Sequence, residues 1–225
     1  MSIAAAAPLT RPLQVQHLGT VPYAAALHLQ ADLVRRRRAN EITDRLLFLE
    51  HPHVFTLGTS ARAAHVLLDD AERELLGIEI FETGRGGDVT YHGPGQLVGY
   101  PILDLKPDRC DLHRYVRDIE AALILALHVF DIDAQRSAGN TGVWVDGAKI
   151  AAIGVRVSSG WITSHGFALN VATDLRFFDG IVPCGIAGCA VTSIERCTGD
   201  VVDMNRVRNV VAHAFGEVFQ RRIRV

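Results

Sequence analysis

Of the four cysteines in this 225-residue chain, one sits where a thiol is hard to bury. Cys184 lies in Ile181-Val182-Pro183-Cys184-Gly185-Ile186, between a residue that fixes φ and one that frees it. Such neighbours predict a tight, exposed turn carrying a reactive sulfur. A free thiol, with a pKa near ~8.5, is only a few per cent thiolate at pH 7, so a neighbouring cation changes its reactivity by about an order of magnitude or more. Cys110, Cys189 and Cys197 lack that setting and are expected to be small buried hydrophobes. With no C-x-x-C pair, the thiols read as the reduced cysteines of a cytoplasmic enzyme and not as a disulfide framework.

The cation of interest is Lys149, which with Lys106 makes up all the lysine among 23 basic residues. It follows the Asp146-Gly147 turn at the start of an apolar strand, where strict alternation puts it on the face of Ala151, Ile153, Val155 and Val157. A lysine there commonly lays its stem over apolar surface and sends its ammonium to water. Beside a thiol the same ammonium would stabilise the thiolate, and when partly desolvated it could act as a base.

A third feature is Arg85-Gly86-Gly87-Asp88-Val89-Thr90-Tyr91-His92-Gly93-Pro94-Gly95-Gln96. Paired glycines let backbone approach a ligand closely, and the flanking Arg85, Thr90 and His92 favour a cradle over an empty hairpin. It is neither a Walker loop nor a dinucleotide fingerprint, since Val89 stands where the third glycine would be. His51-Pro52-His53, without a supporting cysteine or carboxylate cluster, assigns no metal. His165-Gly166 either lines the site or lies near it, and Arg35–Arg38 reads as a solvated helix end complementing the dipole.

The elements that must position these residues alternate between types. Strands are expected at Leu13–Leu18, Leu46–Leu49, Val54–Leu57, Ile78–Phe81 and Leu97–Leu105, with the glycine-dense stretch Gly84–Gly99 as a shaped loop. Helices are expected from Thr20, as cap, to Arg38, over Asp70–Leu76, and after the cap Asp111, where Leu112, Tyr115, Val116, Ile119, Leu123, Leu127 and Phe130 recur at helical spacing. Thr141–Val145, Lys149–Ser158 and Trp161–Val171 predict an antiparallel meander. A last helix from Asp203 to about Arg222 presents Val207, Val210, Val211, Ala214 and Val218 on one face. The expectation is an α/β (α+β) fold, a mixed, largely antiparallel sheet surrounded by helices. Residues 1–12 are expected to be a flexible tail and 13–225 a single catalytic domain.

At 48% apolar and 21% charged residues the composition is globular, which excludes a disordered or collagenous chain. A net charge of -2 provides no global attraction to nucleic acid or anionic membrane. Neither a signal peptide nor a ~20-residue charge-free apolar segment is found.

Taken together, Arg85-Gly-Gly-x-x-Thr-Tyr-His-Gly-Pro-Gly-Gln96, Gly147-Ala-Lys149-Ile-Ala-Ala-Ile-Gly154, His165-Gly-Phe-Ala-Leu-Asn170 and Pro183-Cys184-Gly185 resemble the octanoyltransferase family of lipoate biosynthesis. Leu49-Glu50-His51-Pro52 and Phe55-Thr56-Leu57-Gly58 are similar too, so the resemblance spans Leu13 to Ile194. It implies a fold like that of biotin and lipoate protein ligases. It implies transfer of octanoyl from octanoyl-acyl carrier protein to one lysine of a lipoyl domain, in 2-oxoacid dehydrogenase E2 subunits and glycine cleavage H protein, without a cofactor. By the same resemblance Cys184 carries the acyl thioester and Lys149 is its partner. Arg85, Gly86, Gly87, Asp88, Val89, Thr90, Tyr91 and His92, with Ala152, Ile153, Gly154, Gly166, Phe167 and Ala168, then line the acyl pocket.

Small residues at Ala151, Ala152 and Gly154 leave room for a straight chain, and burying about seven methylene or methyl groups at ~0.8 kcal/mol each supplies about 5–6 kcal/mol before ordering costs. Backbone N–H groups around the Pro-Cys-Gly turn are candidate oxyanion donors. The rival readings are an ATP-dependent lipoate or biotin ligase, which needs no cysteine, and a noncatalytic acyl-binding protein. A cysteine thioesterase would need His92 or His165 to activate water.

Overall fold

Two runs with scarcely a charged residue, Leu46–Leu49 and Leu97–Ile102, require cover on both faces, and they form the middle of the sheet. The computed structural model describes residues 11–186 and 188–224. In chain order the strands are β1 (Arg11–Thr20), β2 (Asp44–Glu50), β3 (Val54–Leu57), β4 (Glu79–Glu82), β5 (Val89–His92), β6 (Gln96–Ile102), β7 (Gln135–Ser137), β8 (Asn140–Val145), β9 (Ala148–Val157), β10 (Thr163–Asn170) and β11 (Arg221–Arg224). The helices are α1 (Tyr23–Arg38), α2 (Asp70–Leu75), α3 (Leu112–His128), α4 (Ile194–Thr198) and α5 (Met204–Phe219).

An eight-stranded sheet runs β11-β1-β2-β6-β10-β9-β8-β7, and β4-β3-β5 form a separate small sheet. Strands β11, β1 and β2 are parallel; from β2 to β7 every pairing is antiparallel. This is the mixed, largely antiparallel sheet with helices on it that the sequence predicts, and β8, β9 and β10 are the expected meander. Helices α3 and α5 cover one face through Ile119, Leu123, Val211 and Phe215, packed with Leu46, Phe48 and Leu97. Helix α1 covers the other through Ala26 and Leu33 against Leu47, Leu49 and Val98. Fully burying each such aliphatic side chain contributes roughly 1.5–3 kcal/mol.

Several boundaries differ from the sequence reading. Thr20 is not a helix cap, because it is held in β1 opposite Glu50, and α1 starts after Pro22 without a side-chain cap. Val89–His92 is not loop but a fully buried strand, paired with β3 from Val54↔His92 to Leu57↔Val89. The last helix stops at Phe219, where Gln220 turns left-handed at φ 53, and Arg221–Arg224 pairs in parallel with β1. Leu112, expected on the apolar face of α3, is exposed in its first turn. Of the expected tail, residues 1–10 lie outside the described residues, whereas Arg11 and Pro12 open β1.

Arg37 is not a solvated helix end. It is buried and donates to Asp44 at 2.8 Å, while Arg221 donates to the other Asp44 oxygen at 3.0 Å and the Asp104 N–H to the first at 3.1 Å. One buried carboxylate thereby joins the end of α1, the start of β2 and the start of β11.

Candidate active site

The floor of the site is a ladder of small residues, with Ala152 opposite Ala168 and Gly154 opposite Gly166 on β9 and β10. On the β8 side, Val143 pairs with Ala151 but Trp144 pairs with Lys149, so Ile150 is an extra residue and β9 bulges. Ile150 and Ala151 both enter the core under α3 and α5. Lys149 is therefore turned onto the cavity face with Ala152 and Gly154, not onto the face of Ala151 that alternation predicts. Nor does it reach for water: it is 4% exposed, with its ammonium 4.7 Å from the Trp144 ring centre. Its stem lies over Gly142, at φ +127, where a Cβ would stand 2.7 Å from the Ala151 carbonyl and 3.3 Å from Lys149 Cε.

Pro183–Gly185 forms one tight helical turn in which Cys184 is left-handed, at φ 57 and ψ 19. A non-glycine residue held there costs of order 1–3 kcal/mol and persists only where its surroundings over-determine it. Here they do. The Val182 N–H donates to His65 O at 2.8 Å before the turn, and after it Lys149 N–H donates to Ala190 O at 2.8 Å and Thr192 N–H to Lys149 O at 3.0 Å. Asp88 and His65, themselves 2.8 Å apart, fill the space a Gly185 side chain would need. The outcome is Lys149 Nζ 2.8 Å from Cys184 Sγ.

The Gly185 N–H donates to Val182 O and the Ile186 N–H to Pro183 O, so both are engaged within the turn. The other cysteines are not buried: Cys110 and Cys197 are exposed and Cys189 is half-buried, because all lie in loops or a short helix outside the core. Burial pushes the Cys189 thiol up, opposed by the nearby Lys149 charge.

A cavity of about 250 Å³ opens over the floor, smaller than the ~300–1,000 Å³ usual for drug-sized ligands and suited to a slim one. Lys149 and Cys184 line it, as do Arg85, Gly87, Asp88, Val89, Thr90, His92, Ala152, Ile153, Gly154, Gly166, Phe167 and Ala168. Gly86 and Tyr91 do not. Gly86 pins the loop to β9 by donating to Val155 O at 2.9 Å, and Tyr91 points into the core of the small sheet, hydrogen-bonded to His53 at 2.8 Å and stacked on Phe177.

Tyr23, Tyr100, Asn140, His165 and Ile186 also line the cavity. His165 and Ile186 lie within quoted stretches of sequence, whereas Tyr23 on α1, Tyr100 on β6 and Asn140 at the β7–β8 turn lie outside them. His51 is held by the Val21 carbonyl at 2.6 Å and Tyr100 at 2.8 Å, so the imidazoles of His51 and His53 are engaged by different partners. Among the described residues no group of three or more His, Cys, Asp or Glu is placed to hold a metal ion.

The imidazoles in and behind the cavity are held neutral. Burial pushes His51 and His165 down to about 4, the latter helped by Arg85 and Arg156, and holds His92 well below its ordinary value. Burial also lowers the Arg85 pKa, opposed by Tyr23, Cys184, Tyr100 and Asp88, and its guanidinium donates to Thr56 Oγ1 at 2.9 Å and Gly86 O at 3.1 Å. His92 Nδ1 donates to Gln96 at 2.8 Å and its Nε2 meets the Thr56 hydroxyl at 3.3 Å, leaving no free nitrogen to activate water. Gln96 donates on to Asn170 at 2.9 Å, and Asn170 to Thr192 O at 2.9 Å. This chain ties the glycine-rich segment to the residue whose N–H holds Lys149.

The fold is that of the lipoate and biotin protein ligases. A bi-partite lipoate protein ligase from Thermoplasma acidophilum, studied with its E2 lipoyl domain, superposes with a TM-score of 0.71 at 19% identity over 95% of this chain and 85% of that one. Biotin protein ligase from Aquifex aeolicus gives 0.51 at 14% identity over 91% and 68%. Residues 22–216 match the lipoyl protein ligase A/B catalytic domain, and the chain belongs to that family. Among its relatives, the octanoyltransferase of Rubrobacter xylanophilus is 52% identical over 92% of this chain and 93% of its own length. That of Acidobacterium capsulatum is 49% identical over 94% and 92%. Among the described residues no helix is long and apolar enough to cross a membrane.

Proposed function

We propose that this chain is an acyltransferase of protein lipoylation that moves an octanoyl group from octanoyl-acyl carrier protein to a lysine of a lipoyl domain through a thioester on Cys184. The acceptors are the lipoyl domains of 2-oxoacid dehydrogenase E2 subunits and the glycine cleavage H protein. The observation that carries the reading is the 2.8 Å approach of Lys149 Nζ to Cys184 Sγ beside a slim cavity.

In the first step the Cys184 thiolate, paired with the Lys149 ammonium, attacks the donor carbonyl. The new C–S bond forms as the donor C–S bond breaks, and the departing carrier thiolate takes its proton from Lys149. In the second, the acceptor amine attacks the Cys184 thioester, Lys149 takes the amine proton, and Cys184 leaves as thiolate. The cycle closes with both groups restored, and since thioester to amide is downhill, it needs no ATP and no cofactor. The acyl chain lies over Ala152, Gly154, Gly166 and Ala168, covered by the segment from Arg85 to His92. Residues 13–225 act as one catalytic unit, and a cysteine set with no C-x-x-C pair supports a cytoplasmic location.

Intact-protein mass after brief exposure to octanoyl-acyl carrier protein tests this. The expected result is a hydroxylamine-labile octanoyl adduct on the natural sequence, absent from Cys184→Ser and transferable to a lipoyl domain. A transfer that requires ATP, or octanoate bound without covalent attachment, overturns it.

A further inference from the structure

Beyond the thiol, the ladder of β9 and β10 continues from Ala152↔Ala168 and Gly154↔Gly166 to Arg156↔Ser164. The first and third rungs are four residues apart, roughly 13 Å at ~3.3 Å per residue. Arg156 and Ser164 no longer line the catalytic cavity. They line a second groove of about 560 Å³, which α1 walls with the apolar Leu27, Ala31 and Val34 and with the polar Gln30 and Arg38. Among the described residues one alone lines both spaces, His165.

His165 is built as a fixed wall. Its backbone is left-handed at φ 55, a conformation held by its N–H donating to the buried Gln30 side chain at 2.7 Å. The residue is 6% exposed, and its ring stands edge-on to Tyr100 at 6.5 Å and leaves Nδ1 without a partner among the described residues. An uncharged imidazole makes a tolerable contact for a terminal methyl, and burial keeps this one neutral at pH 7.

We propose that His165 determines acyl-chain length, by closing the catalytic cavity against the groove under α1. A chain attached at Cys184 runs over the two small-residue rungs and ends against the imidazole. Longer chains are refused because the space that would hold their extra carbons lies behind that ring. The proposal rests on the reading that the cavity holds the acyl chain.

Competition between octanoyl and dodecanoyl carrier thioesters, read as intact mass on Cys184, tests it in His165→Gly, His165→Asn and Arg156→Ala. Glycine and asparagine both accept the left-handed backbone. In His165→Gly the dodecanoyl-to-octanoyl ratio is expected to rise by about 100-fold, the scale of hydrophobic-pocket discrimination. His165→Asn is expected to rise less, and Arg156→Ala, which widens the groove without removing the wall, to match the natural sequence. Adding Leu27→Trp to His165→Gly should fill the groove and restore the octanoyl preference. An unchanged ratio in a folded His165→Gly protein overturns the proposal, and His165→Asn carries the same test should the glycine variant not fold. Absence of any adduct on the natural Cys184 instead overturns the reading beneath it, so the two failures are distinct.

Discussion

Lys149 and Cys184, 35 residues apart, meet at 2.8 Å because the segment leaving the Pro183-Cys184-Gly185 turn bridges back onto the backbone of Lys149 itself. The residue that contributes the amine also anchors the loop that contributes the thiol. Their distance is thus set by two backbone hydrogen bonds and a β-bulge, not by the flexible lysine stem.

A guanidinium keeps a positive charge beside sulfur but cannot give up its proton at working pH. Lys149→Arg is therefore expected to retain part of the acylation of Cys184 while losing transfer to the lipoyl domain by about 100-fold or more, the range of general base catalysis. Lys149→Met should lose both. Single-turnover mass measurements of each half-reaction separate the outcomes, and equal losses in Lys149→Arg would contradict the assigned base.

Gly142 gives Lys149 its path. With φ +127 and only 2.7 Å from a would-be Cβ to the Ala151 carbonyl, Gly142→Ala must shift β8 or the lysine. Misplacement by about 1 Å costs roughly 100-fold. The acylation rate should fall on that scale, while Gly160→Ala, in the turn between β9 and β10 with only ordinary contacts around it, costs activity little. Comparable losses in the two variants would remove the explanation.

Three buried imidazoles make the fold acid-sensitive. His51 and His165 sit at about 4 and His92 well below its ordinary value, so the unfolded chain, titrating near ~6.5, binds more protons than the folded one in between. Their stabilisation is complete above ~6.5 and is lost as pH falls toward 4, on the order of 3 kcal/mol for an imidazole such as His51. Urea unfolding from pH 7 to 4.5 should show a steeper decline for the natural sequence than for His51→Gln. Parallel pH profiles would show that His51 is not a source of it.

Asp44 holds two buried arginines, Arg37 and Arg221. Removing the shared partner leaves Arg37 only the longer pair to Asp104 at 3.6 Å and Arg221 only that to Asp108 at 3.7 Å, and Asp44→Ala is expected to cost about 3 kcal/mol in denaturant unfolding. Because the junction lies at the β1–β2–β11 edge, Cys184 acylation under native conditions should be nearly unchanged. A loss below 1 kcal/mol would mean that water reaches the pair.

The meander and α3 were legible because each is encoded locally: turn residues between apolar runs, and Asp111 before a 3.6-residue repeat. β5 was hidden by its glycine-rich flanks, since its pairing partner β3 is remote in sequence. β11 was hidden because its charged residues continue a helical pattern until Gln220 breaks it. The motifs located most of the cavity, yet they assigned Tyr91 to it, although that side chain serves the small sheet.

The sequence by itself determined which groups can react: an unburied thiol held between proline and glycine, one rare lysine, and a glycine-rich cover. Tertiary structure decided which way they point. Whether Lys149 faces the core or the cavity depends on one extra residue in β9 relative to β8, and whether His165 is a wall or a bystander depends on where α1 packs. Both are pairings between distant segments, for which period and spacing along a single chain hold no information.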